Sequence, residues 1–142
     1  RCLSRGLGDV YKRQTQSLCE RNMDGKDSLE QTMKIVDAFT SERDWDQFHT
    51  VKNLVSSISI EAAELSETVQ WSNPTKEEVL ADPKLIESMS NELADVMVYC
   101  LRLCSVLNQD PVHIMHEKIK LNANKYPVEM VKGSSKKYSD YD

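Results

Sequence analysis

Apolar positions recur along this chain with helical spacing and almost never alternate. From Val51 they fall at Val55, Ile58, Ala62, Leu65 and Val69, in steps of 4, 3, 4, 3 and 4. From Ile86 they fall at Met89, Leu93, Val96, Cys100, Leu103 and Leu107, in steps of 3 and 4 again. Such heptad seams predict two long helices, about Thr50 to Gln70 and Pro83 to Leu107. An earlier face, Leu29, Met33, Val36 and Phe39, predicts a first helix capped by Ser28 with Gln31 three residues on. Asp110-Pro111 opens a last helix, which must stop before Pro127. In the connection between the two long helices, Thr75-x-x-Glu78 caps a short helix and Asp82-Pro83 starts the next. No segment reads as a strand, so the fold class expected is all-α and four-helix-bundle-like. The narrow seams leave other faces to pack between subunits, which predicts an oligomer.

The 142 residues suit one domain. Its expected limits are a disordered or non-native leader at 1–26, a helical domain at 27–127 and a polar tail at 128–142. The net charge of −5 argues against nucleic-acid and anionic-membrane partners. No apolar run approaches the roughly 20 residues of a spanning helix. Cys100 and Cys104, four apart on one predicted helix, are expected as inert core thiols, and a reducing, cytoplasmic setting fits them.

Two acidic pairs interrupt this apolar pattern. "SIEAAELSETVQW" carries Glu61 and Glu64, and "NELADVMVYCLRL" carries Glu92 and Asp95. Both pairs take the same heptad places, g and c, beside their seams. In an antiparallel hairpin g faces g, so the four carboxylates converge at one edge of the bundle. Such a cluster repels itself unless a cation lies within it, and oxygen-only ligands suit Mg²⁺ or Mn²⁺. A di-iron bundle would need Glu-x-x-His pairs. Neither pair has a histidine, and His113 and His116 on the last helix have no matching acidic pair.

Glu61-x-x-Glu64, a spacer, then Glu92-x-x-Asp95 resembles the motif of the all-α nucleoside triphosphate pyrophosphatases, the MazG-like group. "ERDWDQFHTVKNL", "VQW" and "NANKYP" extend the resemblance to a short tetrameric branch acting on dCTP, over about Leu29 to Tyr138. The resemblance implies hydrolysis of a (deoxy)nucleoside triphosphate between the α and β phosphates, with dCTP or a modified dCTP as substrate, in nucleotide-pool sanitation. It implies Mg²⁺ on Glu61, Glu64, Glu92 and Asp95, with Glu61 or Glu64 as proton acceptor. It implies substrate contacts from Trp45, His49, Asn53, Trp71, Tyr99, Lys118, Asn122, Lys125 and Tyr126, of which Lys118, Asn122 and Lys125 form a polar stripe along the last helix. It also implies a homotetramer. Val36 stands where close dCTP-specific relatives carry a histidine, so the base pocket departs from theirs. Alternatives are a dUTP or phosphoribosyl-ATP pyrophosphatase of the same superfamily, or a non-catalytic helical module whose acids bind metal or line a solvated edge.

Overall fold

The computed structural model describes residues 28–137 and residue 139. The leader expected at 1–26, with Cys2 and Cys19, lies outside the described residues. Among these, every regular element is helical: α1 Leu29–Ser41, a 3-10 turn Asp46–Phe48, α2 Val51–Glu67, α3 Lys76–Ala81, α4 Pro83–Val106, α5 Pro111–Lys125 and α6 Val128–Val131. The fold is all-α, as the periodicity predicts.

The helix starts follow from local chemistry. Ser28 and Gln31 satisfy each other's backbone N–H groups, as do Thr75 and Glu78. Asp82 accepts from the N–H groups of Lys84 and Leu85, and Asp110 from those of Val112 and His113. Each cap occupies donors that have no partner within the helix. α2 ends at Glu67, three residues short of expectation. The Thr68 hydroxyl donates to the Leu65 carbonyl at 2.8 Å, and the chain tightens into bonds from Val69 to Ser66 and from Gln70 to Glu67. Asp44 takes a left-handed φ of 54° where the chain leaves α1.

The described residues form two compact units, one ending at Leu107 and one beginning at Asn108. In the first, α1, α2 and α3 all pack on α4, and α2 makes the widest contact. Glu61 lies beside Glu92 and Asp95, whereas His49, just before α2, lies beside Tyr99 and Arg102. Residue numbers therefore run in opposite senses, and α2 and α4 are antiparallel. The second unit carries α5 and α6.

The core of the first unit is small and shifted from the seams. Leu54, at 1% exposure, and Leu101 are buried, yet neither is a seam residue. Val36 is buried as expected, but Phe39, Val51, Val55, Leu93 and Leu107 are exposed. Cys100 is also exposed and Cys104 half-buried, and neither is in a disulfide. The expectation of buried core thiols is therefore corrected. Packing against both α1 and α2 turns α4 so that Leu101 and Arg102 face inward and Cys100 does not.

Candidate functional site

The metal candidates stand on the antiparallel pair α2–α4. One carboxylate oxygen each from Glu61, Glu92 and Asp95 lies within 4.8 Å of the others. Glu61 and Glu92 are half-buried and Asp95 is exposed. Partial burial, then the charges of Glu64, Asp95 and Glu92, push the Glu61 carboxyl above its ordinary 4.5. Like charges held this close disfavour ionisation. The tight set is thus a triple. Glu64 is exposed and outside it, although close enough to raise the proton affinity of Glu61. Three carboxylates with no nitrogen or sulfur donor among them fit a hard divalent cation.

Asp95 also lines a cavity of about 240 Å³, with Val36, Phe39, Thr40, Trp45, His49, Val98, Tyr99 and Arg102. Asp95, Tyr99 and Arg102 are spaced i, i+4 and i+7, which puts them on one face of α4. α1 supplies the opposite wall. Its end is shaped by Trp45, whose ring meets Phe39 edge-on at 5.8 Å, while the Arg43 guanidinium lies 3.6 Å over the other aromatic, Phe39. A second cavity of about 380 Å³ is lined by Phe48, His49, Asn53, Leu54, Ser56, Ser57, Ile60 and Tyr99. His49 and Tyr99, with ring centroids 6.2 Å apart, border both spaces.

The structure therefore brings Trp45, His49 and Tyr99 together beside Asp95. Asn53 joins them at the second cavity, and its amide donates to the Phe48 carbonyl at 2.9 Å, tying the 3-10 turn to α2. Trp71 is not brought in: it follows α2 in a turn, is 91% exposed and lines neither cavity. Lys118, Asn122 and Lys125 keep their register on α5 in the second unit, and Tyr126 caps that helix with its N–H on the Asn122 carbonyl.

Sequence reasoning passed over Arg102. This cation is only 8% exposed. Its Nη1 donates to Asp37 Oδ1 at 2.7 Å, its Nη2 to Asp46 Oδ1, and its Nε to His49 Nδ1 at 3.3 Å. Asp46 is held from its other side by the Ser41 hydroxyl at 2.7 Å. That hydrogen bond first, and then Arg102, keep the Asp46 carboxyl below its ordinary 3.8 against the opposing effect of desolvation. Burial first, and then the Arg102 charge, push His49 below its ordinary 6.5, while Asp46 acts in the opposite sense. The signal available in sequence was one cation inside an apolar run, "VMVYCLRLCSV". A charge placed there must find partners.

A family model described as MazG-like matches residues 56–141. The chain is 34% identical over 114 residues to dCTP pyrophosphatase 1 of Mus musculus, covering 80% of this chain and 67% of that protein. It is 29% identical over 135 residues to dCTP pyrophosphatase 1 of Bos taurus, covering 94% and 80%. A crystal structure of a pyrophosphatase from Archaeoglobus fulgidus DSM 4304 matches with a TM-score of 0.63 at 39% identity, over 69% of this chain and 91% of that one. With the matching helices and the acidic triple, these likenesses place the chain in the MazG-like family, among the nucleotide pyrophosphatase hydrolases.

Proposed function

We propose that the protein is a Mg²⁺-dependent nucleoside triphosphate pyrophosphohydrolase. It converts a (d)NTP, with dCTP or a modified dCTP as the preferred substrate, to the monophosphate and pyrophosphate. The observation that carries the reading is the convergence of Glu61, Glu92 and Asp95 beside an aromatic-walled cavity. Mn²⁺ is the expected substitute metal. The names of the mammalian relatives support dCTP, and the site supports a polyanionic ligand that reaches an acidic protein through a cation.

Glu61, Glu92 and Asp95 would hold the cation. When bound, it would neutralise the triphosphate and lower the pKa of water. Glu64, outside the tight triple, is the carboxylate left to accept a proton from attacking water, with Glu61 the second candidate. Trp45 and Tyr99 offer ring faces and edges to a base, and aromatic faces stack on any base. Asn53 borders the same region through the second cavity. The assignment of Lys118, Asn122, Lys125 and Tyr126 to the phosphates rests on their register along α5. Trp71 is assigned to the base on the resemblance alone. A homotetramer suits the uncovered apolar faces of the first unit. No helix among the described residues is long and apolar enough to cross a membrane. Action on the cytoplasmic nucleotide pool is part of the same proposal.

The test is pyrophosphate release from the eight common NTPs and dNTPs, with Mg²⁺ and with chelator. Metal-dependent pyrophosphate from dCTP supports the proposal. Orthophosphate as the product would place the cut at another bond and overturn it.

A further inference from the structure

Among the described residues of the first unit, Arg102 is the charged side chain that is buried. Its three guanidinium nitrogens each meet a different acceptor on a different part of the chain. Asp37 belongs to α1, Asp46 to the 3-10 turn, and His49 follows that turn. Arg102 itself lies one face-repeat beyond Tyr99 and two beyond Asp95 on α4. The network thus joins the walls of the 240 Å³ cavity to the helix that carries two of the three clustered acids. A lysine has one nitrogen and cannot hold three such acceptors in a plane.

The bond to His49 has a chemical consequence. A guanidinium can only donate. His49 Nδ1 must therefore accept with its lone pair, and the imidazole proton must lie on Nε2. Nδ1 is occupied, so Nε2–H is the polar group of His49 left for a ligand. Asp37 and Asp46 supply two negative charges against the one of Arg102. They anchor the guanidinium. Val36, on the wall opposite, offers only methyl groups. His49 borders both cavities, so its Nε2–H is a donor fixed at their shared wall beside the Trp45 indole, while the Asp95 carboxylate and the Tyr99 ring border the side toward the acids.

We propose that Arg102 is a positioning residue for base selection: it holds His49 as an Nε2–H donor, so that the base preferred here presents a hydrogen-bond acceptor to it. The inference rests on the nucleotide-site reading above and adds the group that sets its selectivity. Arg102 acts through His49. A fixed donor discriminates because a base edge that offers it no acceptor leaves it unpaired and desolvated, whereas cytosine can meet it through N3 or O2.

The experiment has two readouts. The first is the imidazole ¹⁵N shifts of His49 in the full chain at neutral pH, with no nucleotide. The expected result is a bare Nδ1 and a protonated Nε2 without exchange averaging, and in Arg102→Met both shifts move toward averaged or doubly protonated values. A proton on Nδ1 in the unsubstituted protein would overturn the proposal. The second readout is kcat and KM across the dNTPs, with Mg²⁺, for the unsubstituted chain, Arg102→Met, Arg102→Lys, His49→Phe and the double variant Arg102→Met/His49→Phe. Arg102→Met should raise KM for the preferred nucleotide about tenfold, leave kcat within about threefold and flatten the ratios between bases, and Arg102→Lys should not restore them. The double variant should lose little beyond His49→Phe alone. A uniform loss across all bases, with ratios and ¹⁵N shifts unchanged, would mean that Arg102 serves only the fold and would sink the proposal. Should no nucleotide be turned over, the functional reading falls, and the ¹⁵N shifts alone still decide whether Arg102 sets the state of His49. Should Arg102→Met not fold, the shifts in the unsubstituted chain and the kinetics of Arg102→Lys carry the decision.

Discussion

The Glu61 carboxylate on α2 and the Asp95 carboxylate on α4 bring oxygens within 4.8 Å of each other, with Glu92 completing the triple. Nothing in the hydrophobic pattern of either helix requires this. The repulsion appears in the raised proton affinity of Glu61, to which Glu64, Asp95 and Glu92 all contribute after burial. A fold that keeps such a contact gives up some stability until a cation arrives.

That cost has a sign that can be measured. The folded-state pKa of Glu61 lies above the ordinary carboxylate value of 4.5. Its stabilising protonation is complete below the unfolded value and is lost as pH rises through the folded one. In chelator, the difference in stability between the protein and Glu61→Gln should vanish near pH 4 and grow toward neutrality, where Glu61→Gln melts higher by about 2 °C. With Mg²⁺ the order should reverse, because only the intact triple gains from binding. Thermal unfolding with and without metal, from pH 4 to 7.5, checks this. A metal-free Glu61→Gln no more stable than the parent at pH 7 would show that the four acids do not repel appreciably in solution.

Glu92 and Glu64 should separate by role. Glu92→Gln removes a member of the triple and should abolish both the Mg²⁺-induced rise in Tm and at least about 99% of turnover. Glu64→Gln should reduce turnover about as far while keeping most of the Mg²⁺ stabilisation, because Glu64 stands outside the triple. Pyrophosphate release and thermal shifts on the two variants make the comparison. Equal loss of metal response in both would make all four acids ligands and move the proton acceptor elsewhere.

The helix caps give a prediction independent of function. The Asp82 carboxylate holds the first two free N–H groups of α4 at 3.0 and 3.1 Å. Asp82→Ala should cost about 1 kcal/mol in urea unfolding, with an unchanged slope. Asp82→Asn should recover most of it, since the amide oxygen still accepts.

These caps were legible in the sequence because each is a contact over two or three residues. The acidic convergence was also legible. It needs only two matched heptad positions and an antiparallel turn, and Glu61, Glu92 and Asp95 meet accordingly, while Glu64, expected with them, stays outside the tight set. What escaped is what depends on three segments at once. Arg102 finds Asp37, Asp46 and His49 across α1, the 3-10 turn and α4, and no spacing along one helix encodes that meeting. The shift of burial from the seams to Leu54 and Leu101 has the same origin, since a helix contacted from two sides rotates its buried stripe away from a two-stranded seam. Trp71, a pocket residue on the sequence resemblance, meets neither cavity within one chain.

Leu93, Met97 and Cys100 form one stripe of α4 at i, i+4 and i+7, and none of the three is buried within the chain. Leu93 is 49% exposed and Met97 52%, while Val51 and Val55 sit uncovered one turn apart on α2. Soluble chains rarely leave apolar stripes of this kind in water. Covering them with further copies of the chain removes the cost, and closed symmetric assemblies are the usual solution. Light scattering after gel filtration should give four times the 16.3 kDa chain mass. Leu93→Glu should lower the assembly state, because a charge introduced into a dry subunit contact must be hydrated or expelled. It should leave the helix content by circular dichroism within about 10%, since Leu93 adds little to the core of the single chain. A parent protein that runs as a monomer at micromolar concentration would refute the assembly, and the stripe would then need another partner.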